Sequence, residues 1–337
     1  MRGQPHRAQD IRPKTRKDIS VNDIITTSAA LSVRARHRIR AHIYETPLLP
    51  ARNARGGTLW FKAENFQLTG SFKIRGAASV MTAAVSDQRL VTASSGNHGI
   101  GAARAAQSLG RHLTVVLPES VVPEKLAKIR SYGVKVVLHG VETGLAEQHA
   151  QHIALTTGAR YISPYNDRDV IAGQGTIGLE LLEQAPSIDN LFIAMGGGGL
   201  ISGIGAVIKA FSPSTRIIGA AAQNSQALAL SIRAGRVVDC EHLDTLADAV
   251  AGGIDADTLT LPLARAVIDE TVTCSEEEIL QALRIIAQEE NMLVEGAAAL
   301  AMAACLKMTE SHAGKTNVVL LCGGNFDGLR LRALASS

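Results

Sequence analysis

The chain has 337 residues, 46% hydrophobic and 19% charged, with a formal net charge of +3. That balance excludes a disordered or collagen-like chain, and 3% aromatics against 31 glycines disfavours a base-stacking nucleic-acid surface. Six basic and two acidic residues fall within 1–19, so the remainder is about one charge negative and holds no basic domain to track phosphates.

The first segment, 1–20, reads as a disordered basic tail. It lacks the apolar region of a secretory leader, and Asp10 and Asp18 argue against an organelle transit peptide. β-Branched runs then predict strands at Leu59–Ala63, Leu90–Ala93, Leu113–Leu117, Val134–Leu138, Leu191–Met195, Arg216–Ala220, Thr271–Cys274 and Val318–Leu321. Between them, 3.6-residue apolar spacing predicts helices over Ile100–Leu109, Thr176–Glu183, Leu200–Ala210 and Glu276–Gln288. The alternation predicts an α/β chain with parallel sheet flanked by helices, so ligands belong at the carboxyl ends of strands. The longest apolar run, Ala297–Cys305 with Leu306, is ten residues, far short of a membrane span. Four cysteines without CxxC spacing imply neither a disulfide framework nor structural zinc, and a cytoplasmic location is expected. His149 and His152 have helical spacing but no third ligand nearby in sequence, so no metal site is expected there.

Four Gly-rich turns stand out: Thr69–Lys73, Ser94–Gly99, Gly196–Gly199 and Cys322–Asn325. Consecutive glycines let backbone N–H groups converge, and the helix after Gly199 adds its positive dipole end, which makes a phosphate cradle. The cradle does not suit a dinucleotide. The nearest fingerprint, Gly197-x-Gly199-x-x-Ser202, ends in Ser, and no carboxylate lies over Ile217–Gln223 to hold a ribose. Gly314-Lys315-Thr316 resembles the end of a Walker A loop, but Thr309 stands where its first glycine belongs. A small phosphorylated cofactor remains. Lys73 sits between Phe72 and Ile74; an apolar setting lowers a lysine's pKa and suits it to Schiff-base chemistry.

The segment Gly70–Ala77 (GSFKIRGA) resembles the lysine motif of fold-type II pyridoxal-phosphate enzymes of the serine/threonine dehydratase group. Ser94–Gly99 (SSGNHG), Val170–Glu180 (VIAGQGTIGLE), Gly196–Leu200 (GGGGL), Thr245–Asp248 (TLAD), Val294–Ala297 (VEGA) and Cys322–Asn325 (CGGN) match that family in the same order. The resemblance spans Val21 to Leu334 and is nearest to the short threonine dehydratases, which lack a C-terminal regulatory domain. It implies a two-domain fold like the tryptophan synthase β chain, each domain with a mostly parallel sheet. Residues 21–75 and 161–337 then form a large cofactor-binding domain, and 76–160 a small mobile domain that closes on substrate.

The resemblance also implies roles. Lys73 holds pyridoxal 5'-phosphate as a Schiff base and then acts as base at Cα, Phe72 packs on the ring, and Asn97 bonds its 3' oxygen. Gly196, Gly197, Gly198 and Gly199, with Leu200, bind the phosphate. Ser94, Ser95, Gly96, Asn97 and His98 bind the substrate carboxylate, and Ser95 matches the second base of racemising relatives. Cys322 matches the neutral residue at the pyridine nitrogen, which weakens the electron sink and favours expulsion of a β-leaving group. Apart from the resemblance, Cys322 reads as a buried strand-end cysteine. Glu295 stands near the cofactor by the resemblance, and reads equally as a carboxylate favoured at a helix N-terminus.

Two positions depart from the pattern. Ala220–Gln223 offers no carboxylate where cation-binding members carry one, and Ala249 stands in place of a Gly. The implied activity is dehydration and deamination of a small β-hydroxy amino acid of the threonine or serine type, by a homodimer or homotetramer with no nucleic-acid or membrane partner. Dehydration of 3-hydroxyaspartate, phenylserine or a hydroxylated catabolite, and amino-acid racemisation, stay open.

Overall fold

The computed structural model describes residues 20–53 and 57–326; of the tail expected over 1–20, residues 1–19 lie outside them and Ser20 caps the first helix. Helix α1 (Val21–Ile39) starts at a capping box formed by Ser20 and Asp23. Strands β1 (Leu48–Pro50) and β2 (Thr58–Ala63) pair antiparallel, and α2 (Lys73–Ala83) follows. The chain then builds a second sheet from β3 (Leu90–Ala93), β4 (Leu113–Leu117), β5 (Lys135–Leu138) and β6 (Arg160–Tyr161), with α3 (Asn97–Leu109), α4 (Pro123–Arg130) and α5 (Thr143–Thr157) between them. These strands are all parallel, in the order β5-β4-β3-β6.

Helix α6 (Arg168–Gln184) returns the chain to the first sheet. There β7 (Asn190–Ala194), α7 (Gly199–Phe211), β8 (Arg216–Ala222), α8 (Ala227–Ala234), α9 (Thr260–Val267), β9 (Glu270–Cys274), α10 (Glu276–Gln288), α11 (Gly296–Lys307) and β10 (Thr316–Leu321) follow. The completed sheet has six strands in the order β1-β2-β10-β7-β8-β9, parallel except for β1. The last strand in sequence is thus central in space. Its run TNVVLL is covered on both faces, as a parallel core strand requires.

All eight strands read from β-branched runs are present. The two additional ones, β1 and β6, have three and two residues, too few to show a period, and Pro50 confines β1 to an edge. The apolar run Ala297–Cys305 is buried throughout α11, which packs on β10, β7 and β8. Helices α6 and α7 meet closely because a Cβ on Gly175 would stand 2.8 Å from the Gly203 carbonyl oxygen. No helix among the described residues is long and apolar enough to cross a membrane.

Candidate active site

The four Gly-rich turns converge beyond the carboxyl ends of β10, β3 and β7. Beyond β10, Cys322 accepts the Phe72 N–H through its carbonyl at 3.1 Å, and the Gly324 N–H donates to Gly70 O at 2.8 Å. Ser71 and Gly323 therefore pair as one antiparallel bridge. Gly70 has φ +72°, a left-handed conformation, and a Cβ there would stand 2.5 Å from Asn325 Oδ1. This stitched turn launches α2 with Lys73 as its first residue. Lys73 Nζ donates to Pro164 O at 3.0 Å and lies 5.2 Å from the Phe72 ring centroid. Burial pushes its amine down to about 8, while Cys322 and Glu295 act in the opposite direction when ionised.

A chain of hydrogen bonds joins the turns near Lys73. Asn325 Nδ2 donates to Thr69 O and to Asn97 Oδ1, each at 2.7 Å. Asn97 Nδ2 donates to both Glu295 oxygens, at 3.0 and 2.9 Å, and the Glu295 N–H donates to Gly323 O at 3.1 Å. Glu295 occupies the N-cap position of α11, but its side chain makes no cap hydrogen bond and turns to Asn97. Burial and nearby Asp248 push its carboxyl up, and the Asn97 hydrogen bond and Lys73 oppose them, leaving it at about 7. Cys322 Sγ is 3.9 Å from Glu295 Oε1, and burial pushes the thiol well above its ordinary value, so it is neutral at physiological pH.

After β3, the Gly96 N–H donates to Ser94 Oγ at 3.2 Å, and Gly96 starts α3 without a side-chain cap. The first-turn N–H groups of α3 are thus a ready anion site. Ser95 is half-buried in this loop. His98 turns its ring inward: it is buried, with Nε2 2.9 Å from Thr92 Oγ1 and 3.3 Å from Ile162 O. Burial, aided by Lys73, pushes it down to about 3. A neutral, inward ring leaves only the His98 backbone for a substrate.

The tetraglycine turn follows β7. Gly198, at φ +87°, starts α7 with no side-chain cap, and the first helical bond runs from the Ser202 N–H to Gly198 O at 2.9 Å. The turn has no room for side chains. A Cβ would meet Val250 Cα at 3.0 Å from Gly196, Tyr165 Cδ1 at 2.6 Å from Gly197, and Tyr165 O at 2.9 Å from Gly199. Thr260 Oγ1 ties down Gly197 O at 2.7 Å. Leu200 is 8% exposed and joins the core, so its contribution to a phosphate is limited to its N–H.

Pro164 and Tyr165 link Lys73 to this turn, one by its carbonyl and the other by its ring. The sequence reading missed Tyr165, which lies in a loop without a motif. It also assigned no role to Asn325, although the quoted CGGN segment contains it. His139, from the β5–α5 connection, stacks on His149 with centroids 3.9 Å apart. Among the described residues no group of three or more His, Cys, Asp or Glu is placed to hold a metal.

These residues fit pyridoxal phosphate. The glycine cradle excludes any Cβ, the first turn of α7 has no side-chain cap, and the amine of Lys73 is held low. Ser71 Oγ beside it is fully buried with no hydrogen-bond partner among the described residues. A family model described as pyridoxal-phosphate dependent enzyme matches residues 39–324. The chain belongs to that family, in its fold-type II serine/threonine dehydratase group.

The L-threonine ammonia-lyase of Thermotoga maritima is 40% identical over 275 residues, 81% of this chain and 68% of that protein. The processed threonine deaminase isoform 2 of Solanum lycopersicum superposes with a TM-score of 0.88 at 30% identity, over 93% of each chain. Maize serine racemase superposes with a TM-score of 0.85 at 31% identity, over 91% of this chain and 96% of that one.

Proposed function

We propose that the chain dehydrates and deaminates a short β-hydroxy amino acid, L-threonine foremost and L-serine beside it, to a 2-oxo acid and ammonia. The observation that carries this reading is a low-pKa lysine at the glycine cradle with a neutral thiol, not a carboxylate, at the end of β10. When bound, pyridoxal phosphate supplies the electron sink for a carbanion at Cα. Lys73 Nζ takes the Cα proton, its pKa near enough to neutrality for a general base. The N–H groups of the Ser94–His98 turn hold the substrate carboxylate, and the tetraglycine N–H groups hold the phosphate. Phe72 packs beside Lys73, and Glu295 orients Asn97. The neutral Cys322 thiol would lend the bound cofactor ring no negative charge, which would favour loss of the β-hydroxyl over return of the proton to Cα.

In the same reading, the part of the chain over 76–160 closes on substrate, and the enzyme works in the cytoplasm as a homodimer or homotetramer. Four free cysteines support a reducing compartment. The test is 2-oxo acid and ammonia release from L-threonine, L-serine, threo-3-hydroxyaspartate and phenylserine, with chiral analysis of residual substrate. Release from L-threonine or L-serine is expected. Ser95 and the likeness to maize serine racemase favour a second reading, racemisation. D-isomer formed faster than 2-oxo acid would select it, and silence across the panel with cofactor bound would overturn both.

A further inference from the structure

The largest fully buried side chain lies two residues beyond Lys73. Arg75 uses all its donors. Nε and Nη2 hold the two Glu64 oxygens at 2.8 Å each, and Nη1 and Nη2 hold those of Glu180 at 2.5 and 2.9 Å. Nη1 also reaches Thr176 Oγ1 at 3.1 Å, and Nη2 reaches Tyr44 O at 3.2 Å. Lys62, equally buried, donates to Glu180 Oε2 at 2.5 Å, Thr46 O at 2.6 Å and Gln184 Oε1 at 3.0 Å. Burial opposes charge on Arg75, but Glu64 and Glu180 more than offset it; Arg75 and Lys62 likewise hold Glu180 below its ordinary value. Two cations and two carboxylates thus share one buried cluster without net charge.

Buried ion clusters contribute little to stability compared with hydrocarbon of the same volume. Placement gives this one a different role. Lys62 lies on β2 and Glu64 just after it, Thr176 and Glu180 lie on α6, and Arg75 lies on α2. Helices α2 and α6 are the two segments that carry the chain between the sheets. At the same crossing Gly173 faces the Arg75 carbonyl and Gly76 faces Gln174, each too close for a Cβ.

We propose that Arg75 is a positioning residue. Its double grip on Glu64 and Glu180 fixes the first turn of α2 to the six-stranded sheet. Lys73 Nζ is thereby held against Pro164 O, while the rest of α2 packs with the core of the four-stranded sheet. The proposal rests on Lys73 as the cofactor lysine. Lysine at position 75 keeps the charge but cannot span two carboxylates with a planar fork.

The test uses apoprotein of Arg75→Lys and of the double variant Arg75→Met/Glu64→Met, which keeps the Lys62–Glu180 pair and adds no net charge. Circular dichroism establishes which variants fold. Pyridoxine 5'-phosphate, an alcohol that cannot bond to lysine, reports the phosphate cradle. Borohydride-fixed capture of pyridoxal 5'-phosphate, mapped to Lys73, reports the position of the amine. The expected result in a folded variant is unchanged alcohol affinity with capture slowed about tenfold or more, the scale of a small misplacement. Capture at the wild-type rate overturns the proposal, and so does a parallel loss of both readouts, which marks the cluster as purely structural. Wild-type protein that binds the alcohol but captures nothing at Lys73 overturns the reading of Lys73 itself.

Discussion

Replacing Glu295 by glutamine is expected to make Lys73 a better nucleophile near neutral pH. An ordinary lysine titrates at 10.5, whereas Lys73 is pushed down to about 8 by burial. At pH 7 this leaves about one amine in ten neutral, against about one in three thousand for the ordinary group. Glu295 limits the effect, because its carboxylate favours the ammonium form and is mostly ionised above about 7. The other opposing group, Cys322, contributes nothing there because its thiol stays protonated. Glu295→Gln therefore moves Lys73 below about 8. Any such drop raises the neutral fraction at pH 7 above one in ten. The assay is the second-order rate of pyridoxal 5'-phosphate capture by apoprotein, fixed with borohydride and followed across the pH range. The wild-type rate rises with a midpoint near 8, and the variant midpoint lies lower. A midpoint that stays put or moves up in the variant refutes the electrostatic reasoning, as does a wild-type midpoint at the ordinary lysine value.

Glu295 also carries a stability signature. Between 4.5 and about 7 the folded protein keeps a proton that the unfolded chain has released, so this group lowers stability as pH rises through that window. The difference is about 3 kcal/mol, and Glu295→Gln removes that component from the urea-unfolding profile against pH. Gly197→Ala drives a Cβ into the Tyr165 ring and should weaken pyridoxine 5'-phosphate binding roughly tenfold, about 1.4 kcal/mol, with partial recovery in Gly197→Ala/Tyr165→Ala. Cys322→Ser keeps a short neutral group and should preserve the ratio of 2-oxo acid formed to Cα deuterium exchanged. Cys322→Asp sets a carboxylate beside Glu295 and should shift that ratio toward exchange; an unchanged ratio in a cofactor-loaded Asp variant contradicts the role given to the thiol. Exhaustive chelation should leave turnover intact, since Ala220–Ala222 offers no carboxylate; a magnesium-reversible loss would show a cation site elsewhere.

Much of the fold was legible because its strands are buried runs of β-branched residues bounded by glycine turns. What periodicity could not show was where the chain leaves one sheet for the other. The crossings lie in α2 and α6, which are buried without a break over Ile74–Met81 and Val170–Leu181, so neither shows the one-sided apolar pattern of a surface helix. The turns around Lys73, Asn97, Gly196–Gly199 and Cys322 were visible because parallel sheets put ligands at strand ends. Arg75 was quoted within the lysine motif yet carried no readable role. Its partners Glu64 and Glu180 are 11 and 105 positions away, and no spacing rule joins them. Tyr165 was hidden for a similar reason, since only the folded chain brings its ring to Gly197. His98 looked like a donor in a polar loop, but the helical turn of α3 points its ring back at Thr92.

One amine, Lys73, is proposed both to hold the cofactor and to move the Cα proton. The most direct measurement is L-threonine turnover and borohydride labelling in Lys73→Ala beside wild type, each saturated with pyridoxal 5'-phosphate. Wild type is expected to release 2-oxo acid and ammonia and to be labelled at Lys73, while the variant binds the phosphate noncovalently, takes no label and turns over nothing. Turnover at the wild-type rate in the loaded variant, or label on another lysine of the wild type, would contradict it.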